Sequence, residues 1–239
     1  MKNPDLSLIL PVHNQEKIIA PVYRDIVHML DRLKISYECI LVENGSSDAT
    51  LGVLTTLARS YPHTRVYTAP KGYGSAVLRG LGVSRGVYVS YMPSDGQIDL
   101  GVFPILWQLA TSRKWQLVKI QRATRESLSR SACSSLFSAI VRTLFHTSVT
   151  DINGSPRIFL RKYVPVLDLG YRDSFIDAEF AAKARVLGWN IKEIPMRTLP
   201  RVGGTSTRSW RTFIEFFTNI WHYKTGSAFS DWKHHVTHA

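Results

Sequence analysis

Two cysteines in 239 residues are too few and too far apart to form a covalent framework. Cys39 and Cys133 match neither a disulfide scaffold nor a metal-ligand spacing, so a reducing compartment fits and a cysteine-ligated zinc module is excluded. Cys39 lies within Tyr37-Glu38-Cys39-Ile40-Leu41-Val42 and reads as a small core residue of a buried strand. Long apolar runs are missing too. The run over residues 6–12 is too short, and too soon interrupted by polar residues, for a signal peptide. No segment approaches the roughly 20 apolar residues that span a bilayer, so a soluble or peripheral protein is expected. Acidic residues are scarce beside basic ones, 18 against 30, which leaves a formal net charge of +12. The excess points to an anionic partner: nucleic acid, an acidic membrane or a phosphorylated substrate. No nucleic-acid-binding motif accompanies it, so no nucleic-acid partner is expected. Hydrophobic residues at 44% and charged residues at 20% exclude a disordered chain.

What the chain does have is an alternation of short apolar runs and longer amphipathic stretches. Residues 6–12, 38–42, 65–67, 87–91 and 117–120 read as strands, and 16–33, 49–59, 75–83 and 100–110 carry helical spacing between them. That order predicts an α/β fold with a mostly parallel central sheet and helices on both faces. The second half changes character. A long helix over 127–145 leads into a loop at 147–156, then a helix near 176–187, a strand at 191–194 and a Gly/Ser/Thr/Arg-rich loop at 200–208. An aromatic-rich helix over 210–224 and a polar tail follow. With no repeat and no linker, one catalytic domain over 1–208 is expected, followed by the amphipathic helix and tail at 209–239.

In open parallel sheets ligands sit beyond the C-terminal ends of the strands. The first strand runs into Pro11-Val12-His13-Asn14-Gln15-Glu16, whose last residues open a helix with capping and dipole-matching groups. The second ends in Glu43-Asn44-Gly45-Ser46-Ser47-Asp48. There Gly45 permits a tight turn, Ser47 or Asp48 can cap a helix, and Glu43 with Asn44 stands ready for a ribose hydroxyl and a base edge. In Pro70-Lys71-Gly72-Tyr73-Gly74-Ser75 the glycines would let backbone approach a ligand, with Lys71 facing a phosphate; a bare turn explains the segment as well. The fourth strand leads to Met92-Pro93-Ser94-Asp95-Gly96-Gln97. Asp95 and Gln97, two residues apart, are hard oxygen ligands suited to one Mg²⁺ or Mn²⁺ shared with a diphosphate.

Taken in order, Pro-x-x-Asn-x-Glu, an acidic residue before Gly-Ser-x-Asp, Lys-Gly-x-Gly and Ser-Asp-Gly-Gln resemble family 2 glycosyltransferases of the GT-A fold. Among these the chain is most similar to the polyprenyl-phosphate sugar synthases, dolichol-phosphate mannose synthase being one. The similarity continues through Lys119-Ile120-Gln121-Arg122, Arg130-Ser131-Ala132-Cys133-Ser134, Asp151-Ile152-Asn153-Gly154-Ser155-Pro156-Arg157, Asp177-Ala178-Glu179 and Arg201-Val202-Gly203-Gly204-Thr205-Ser206, about residues 5–210 in all. The resemblance implies roles. Pro11, Asn14, Glu16, Glu43 and Asn44 would line the nucleotide pocket, with Lys71, Gly72 and Ser94 beside the donor. Asp95 with Gln97 would hold the metal. Arg122, Arg130 and Ser134 would receive the acceptor phosphate. Asp177 and Glu179 would face the reacting sugar, and Arg201 and Ser206 would close over the donor. The chain departs from many relatives in having Glu43-Asn44 in place of two aspartates, and Pro93-Ser94-Asp95 in place of Asp-x-Asp.

An acceptor phosphate is already an anionic nucleophile near neutral pH, so it needs positioning cations rather than a base. Arg122 follows a strand, and Arg130 and Ser134 share a helix face. A sugar-hydroxyl acceptor would instead require a base, with Asp177 the candidate. Trp210, Phe213, Ile214, Phe217, Ile220 and Trp221 make an apolar stripe flanked by Arg208, Arg211 and Lys224, which suits a membrane interface or packing on the sheet. The expectation is an inverting transferase that moves a hexose-type sugar from a GDP- or UDP-sugar to polyprenyl phosphate. It would be cytoplasmic and peripheral to the inner face of the membrane, alone, as a homo-oligomer or with a membrane partner subunit. The same fold acting on a sugar hydroxyl, or as a non-catalytic nucleotide-sugar or membrane-binding module, is the alternative.

Overall fold

A computed structural model describes residues 3–124, 128–200 and 210–238, except for the side chains of 124, 128–134 and 210–215. Seven strands form one sheet: β1 (Leu6–Val12), β2 (Tyr37–Glu43), β3 (Thr64–Thr68), β4 (Tyr88–Tyr91), β5 (Leu117–Thr124), β6 (Arg157–Leu160) and β7 (Ile191–Arg197). Their order is β3-β2-β1-β4-β6-β5-β7. All neighbours pair in parallel except β6, which runs antiparallel to both β4 and β5. The chain therefore winds outward from β1 through β3, returns to β4 on the other side of β1, and leaves its switch point at the tips of β1 and β4.

Helices α1 (Ile19–Arg32), α2 (Thr50–Ser60), α3 (Tyr73–Val83) and α4 (Phe103–Thr111) connect the strands of the first half. Helices α5 (Leu128–Phe145), α6 (Val164–Leu167), α7 (Ile176–Val186), α8 (Trp210–Thr225) and α9 (Ser227–His238) belong to the second. Every residue of β1 is buried, as a central parallel strand covered on both faces requires. On one face Leu8, Leu10, Cys39 and Leu41 meet α1, α2 and α4 through Tyr23, Leu54 and Phe103. On the other, Ile9, Ile40, Val89 and Tyr91 meet α3 and α7 through Val77, Ile176 and Phe180. Cys39 is fully buried, and burial pushes its thiol up to about 12, so it behaves as a core residue.

Helix α7 is buried on every side from Ile176 to Ala184 because a third cluster covers its outer face. There Phe137 and Val141 of α5 and Phe216, Ile220 and Tyr223 of α8 pack on Phe175 and Ala178. Two expectations are corrected. The segment after 156 contains β6, which inserts antiparallel into the sheet, and the supposed polar tail is the helix α9, anchored by the indole of Trp232 donating to Val166 O (2.9 Å). The first helix also begins later than expected, at Ile19, because residues 15–18 form a turn, with Ile18 N donating to Gln15 O (3.0 Å).

Candidate active site

At the switch point the loop after β1 is laced to the loop after β2. Asn14, in the left-handed region with φ 50°, accepts from Ser47 N through Oδ1 (2.8 Å), and its own amide donates to Ser46 Oγ (3.0 Å). Glu16 accepts from Ala49 N (2.9 Å), and Asp48 returns the bond by accepting from Glu16 N (3.3 Å). Asp48 also accepts from Thr50 N and Oγ1 at the start of α2. The side chains of Asn14 and Glu16 thus hold one loop against the other. Glu43 is buried and accepts from Ser46 N. Asn44 is 5% exposed; its amide nitrogen donates to Gly72 O (3.1 Å), while its Oδ1 has no hydrogen-bond partner among the described residues. A buried acceptor left in this state at a strand tip is an invitation to a donor group.

The glycines of the Lys71 segment have a second use. A Cβ on Gly72, whose φ is 141°, would strike Arg172 O, and one on Gly74 would lie 2.6 Å from Asp173 O. Ser75 N at the start of α3 donates to Arg172 O (2.8 Å). Backbone approaches backbone here, so this turn is clamped to the 171–173 segment, while Lys71 is exposed at its tip.

After β4, Ser94 is 1% exposed; its hydroxyl donates to Pro11 O (2.7 Å) and lies 2.9 Å from Gln15 Oε1. It ties the β4 tip to the β1 tip and carries no charge for a metal. Asp95 and Gln97 are half-buried, Gln97 N lying 3.3 Å from Asp95 Oδ1. Leu199 N donates to Gln97 O (3.0 Å), which brings the chain just before residue 200 to this loop. Among the described residues no three His, Cys, Asp or Glu side chains gather as a metal cage. One carboxylate and one amide fit a hard divalent ion that takes its other ligands from a diphosphate and water, and would not fit a fully protein-caged ion.

Beyond β5 and β6 the site is built of buried charge. Arg122 grips Asp151 in a two-pronged contact, Nε to Oδ2 at 2.8 Å and Nη2 to Oδ1 at 2.7 Å, and its amide donates to Oδ2 as well (3.0 Å). Burial alone would raise the Asp151 carboxyl, but the Arg122 hydrogen bonds and charge hold it well below the usual range. Lys119, 1% exposed, donates to Asp151 O and pairs with Glu193 (3.4 Å). Burial first, and the nearby Arg157 charge second, bring its ammonium down to about 8. Arg157 is equally buried: it pairs with Asp177 (2.9 Å), donates to Ile152 O and Gly154 O, and lies over the rings of Tyr91 (4.8 Å) and Phe180 (5.4 Å). Tyr91 donates to the same Asp177 oxygen (3.2 Å). Among the described residues Arg122, Lys119 and Arg157 are matched with Asp151, Glu193 and Asp177, the pairing that buried charges require.

Asp177 and Glu179, expected side by side, diverge. Two residues apart on α7, they point to different neighbours. Glu179 accepts from Gly170 N and Tyr171 N (both 3.0 Å at Oε2) and pairs with Lys183 (2.9 Å), so it shapes the 168–171 segment. The structure thus brings Pro11, Glu43, Asn44, Gly72, Ser94, Asp95 and Gln97 to neighbouring strand tips, and joins Arg122 to Asp177 through Asp151, the 151–156 loop and Arg157. Arg201 and Ser206, and the side chains of Arg130 and Ser134, lie outside the described residues. Sequence reasoning assigned no role to Lys119, Arg157, Tyr91 or Glu193. The signal for Lys119 was present: a lone cation within the apolar strand Leu117-Val118-Lys119-Ile120 must find a buried partner.

A family model described as Glycosyl transferase family 2 matches residues 7–161. A dolichyl-phosphate beta-glucosyltransferase of Trichomonas vaginalis is 25% identical over 208 residues, 80% of this chain and 64% of that protein. An undecaprenyl-phosphate 4-deoxy-4-formamido-L-arabinose transferase of Sodalis glossinidius is 25% identical over 92% of this chain and 68% of its own. The chain thus spans about two thirds of the length of these relatives. Among solved structures, glucosyl-3-phosphoglycerate synthase from Mycobacterium tuberculosis, in complex with Mn²⁺, UDP and phosphoglyceric acid, superposes with a TM-score of 0.71 at 19% identity, over 93% of this chain and 79% of that one. The shared fold is GT-A.

Proposed function

Because the chain belongs to glycosyl transferase family 2, we propose that it transfers a hexose-type sugar, with inversion, from a GDP- or UDP-sugar to a polyprenyl phosphate. The observation that carries this reading is the division of the site. One carboxylate, Asp95, follows β4 and the orphaned Asn44 Oδ1 follows β2, both at strand tips near the switch point, and the buried ion pairs Arg122–Asp151 and Arg157–Asp177 stand around β5 and β6. The two curated relatives act on lipid phosphates by their names, and the structural neighbour holds UDP with Mn²⁺ or, in a second complex, Mg²⁺.

In this account Glu43 and Asn44 receive the nucleoside, and Asp95 with Gln97 holds Mg²⁺ or Mn²⁺. The ion supplies neutralisation of charge building on the departing diphosphate. Arg122, with Arg130 and Ser134, orients the acceptor phosphate. One of its oxygens attacks the anomeric carbon as the bond to the diphosphate breaks on the opposite side, so configuration inverts. No proton need leave the nucleophile. The carboxylate that a sugar-hydroxyl acceptor would require as a base, Asp177, already takes Arg157 and Tyr91 on one oxygen, which favours the phosphate acceptor.

Among the described residues no helix is long and apolar enough to cross a membrane. We place the enzyme on the membrane surface through α8, whose Ile220 and Tyr223 are buried against α5 and α7 while Phe217 and Trp221 remain 45% and 68% exposed. The helix serves both packing and surface contact. The deciding test offers nucleotide sugars and a short polyprenyl phosphate with and without Mn²⁺. Lipid-linked sugar formed only with the metal is expected; metal-dependent transfer to a glycan hydroxyl, with none to the lipid phosphate, would refute the reading. Phe217→Ser with Trp221→Ser should reduce sedimentation with anionic liposomes while leaving donor binding intact, and undiminished sedimentation would refute surface docking.

A further inference from the structure

The last helix carries a cluster that plays no part in the reaction described above. Along α9, Asp231, His234, His235 and His238 fall within about 100° of the helix circumference, at spacings of three and four residues, and all four are exposed. Trp232 and Phe229 occupy the inward face. The imidazoles of His234 and His238 have centroids 4.2 Å apart and planes inclined by 35°. Nδ1 of His238 lies 2.9 Å from the carbonyl oxygen of His234. A carbonyl only accepts, so in the neutral ring Nδ1 carries the proton and Nε2 keeps its lone pair. That backbone contact also fixes the ring, as the outer partner of a metal-bound histidine commonly does.

We propose that His234 and His238 form a two-imidazole site for a divalent transition ion of the Zn²⁺, Ni²⁺ or Cu²⁺ class. Histidines one turn apart on a helix can converge on a single ion, which is how paired helical ligands four residues apart bind zinc in other proteins. Imidazole selects these borderline ions over Mg²⁺ and Mn²⁺, so the site is chemically distinct from the oxygen ligands Asp95 and Gln97. Among the described residues no third His, Cys, Asp or Glu completes a cage, so water fills the remaining positions and the ion exchanges readily. The nearby Asp231 carboxylate offsets part of the chain's positive charge. An ion bridging the two rings would clip the final turns of α9, the helix that Trp232 anchors to α6.

Titration of the full chain with Zn²⁺ without nucleotide, followed calorimetrically, tests this. Wild type and His235→Ala should each take up one Zn²⁺ in this site, and Mg²⁺ should not compete. His234→Ala and His238→Ala should each weaken that uptake at least tenfold, since losing one ring removes the chelate. With Cu²⁺, the electron paramagnetic resonance spectrum of the wild type should show two nitrogen ligands, and that of either single variant one. Undiminished uptake by the doubly substituted chain, or a loss confined to His235→Ala, would overturn the proposal.

Discussion

The two halves of the cleft are held together by different means. Around the tips of β1, β2 and β4, the half-buried or exposed side chains of Asn14, Glu16 and Asp48, and the buried hydroxyl of Ser94, bond to backbone of the neighbouring loop. Around β5 and β6 the groups that hold the loops are themselves charged and almost wholly buried: Lys119, Arg157, Asp177 and Asp151 are each 1–3% exposed. Loops laced at their rims can reshape around a ligand. A buried ionic lattice cannot lose one member without stranding another. The donor half is thus expected to tolerate substitution with loss of function alone, and the acceptor half to lose function and stability together.

Arg157→Met should break the acceptor half most severely. It leaves Asp177 buried with Tyr91 as its remaining side-chain hydrogen bond among the described residues, a change that costs about 3–5 kcal/mol. Urea unfolding would show it; a loss below about 1 kcal/mol would mean that the lattice is not structural. Asp95→Ala is the counterpart across the cleft, predicted to abolish transfer with an unchanged urea midpoint.

Asp151→Asn comes next, at about 3 kcal/mol near neutral pH, since three donors of Arg122 lose a charged acceptor. The pH sign follows from the depressed carboxyl. Asp151 binds its proton more weakly folded than unfolded, so its contribution is complete above the ordinary carboxylate range and fades as pH falls below about 4. The stability gap between wild type and variant should therefore narrow between pH 5 and pH 3, and a gap that stays constant would contradict the pairing. Lys119 shifts stability in the same direction over a different range: its folded value, about 8, lies below that of the free side chain, so the penalty of burying its charge is relieved as pH rises through the alkaline range.

Gly74→Ala sharpens the boundary between the halves, because its Cβ would strike the carbonyls of Tyr171 and Asp173. Overpacking of this kind costs about 1–3 kcal/mol. The donor KM should rise with it, since the same turn carries Lys71. Asn14→Ala should be mildest, about 1 kcal/mol for the lost bond to Ser47 N.

The same contrast explains what could be read from the residues in order. The first half follows local rules: β1 to β4 and α1 to α4 alternate, and Asp48 before Thr50 announces a helix start. Its loops were recognisable as a set, although Gly72 and Gly74, read as letting backbone approach a ligand or as a bare turn, admit the 171–173 backbone, a contact nearly 100 residues away in the chain. In the second half, β6 is four residues long and opens with Arg157, a charge no isolated strand would bury. Only the company of Asp177, Tyr91 and Phe180 makes it a strand residue. Asp177 and Glu179 were legible as a pair of carboxylates; their divergence required the register of α7 against the sheet. The stripe expected on α8 divides among the described side chains: Ile220 packs inward with Phe216 and Tyr223, which lay outside it, and Phe217 and Trp221 stay exposed.

Crossed steady-state kinetics test the division most directly. Asp95→Asn and Arg122→Lys would be compared with wild type on both substrates, nucleotide sugar and polyprenyl phosphate. The account predicts that Arg122→Lys raises the acceptor KM at least tenfold with little change in donor KM, whereas Asp95→Asn lowers kcat and weakens the donor's metal dependence without moving the acceptor KM. An Arg122→Lys enzyme that loses donor affinity while its acceptor KM stays at the wild-type value would contradict it.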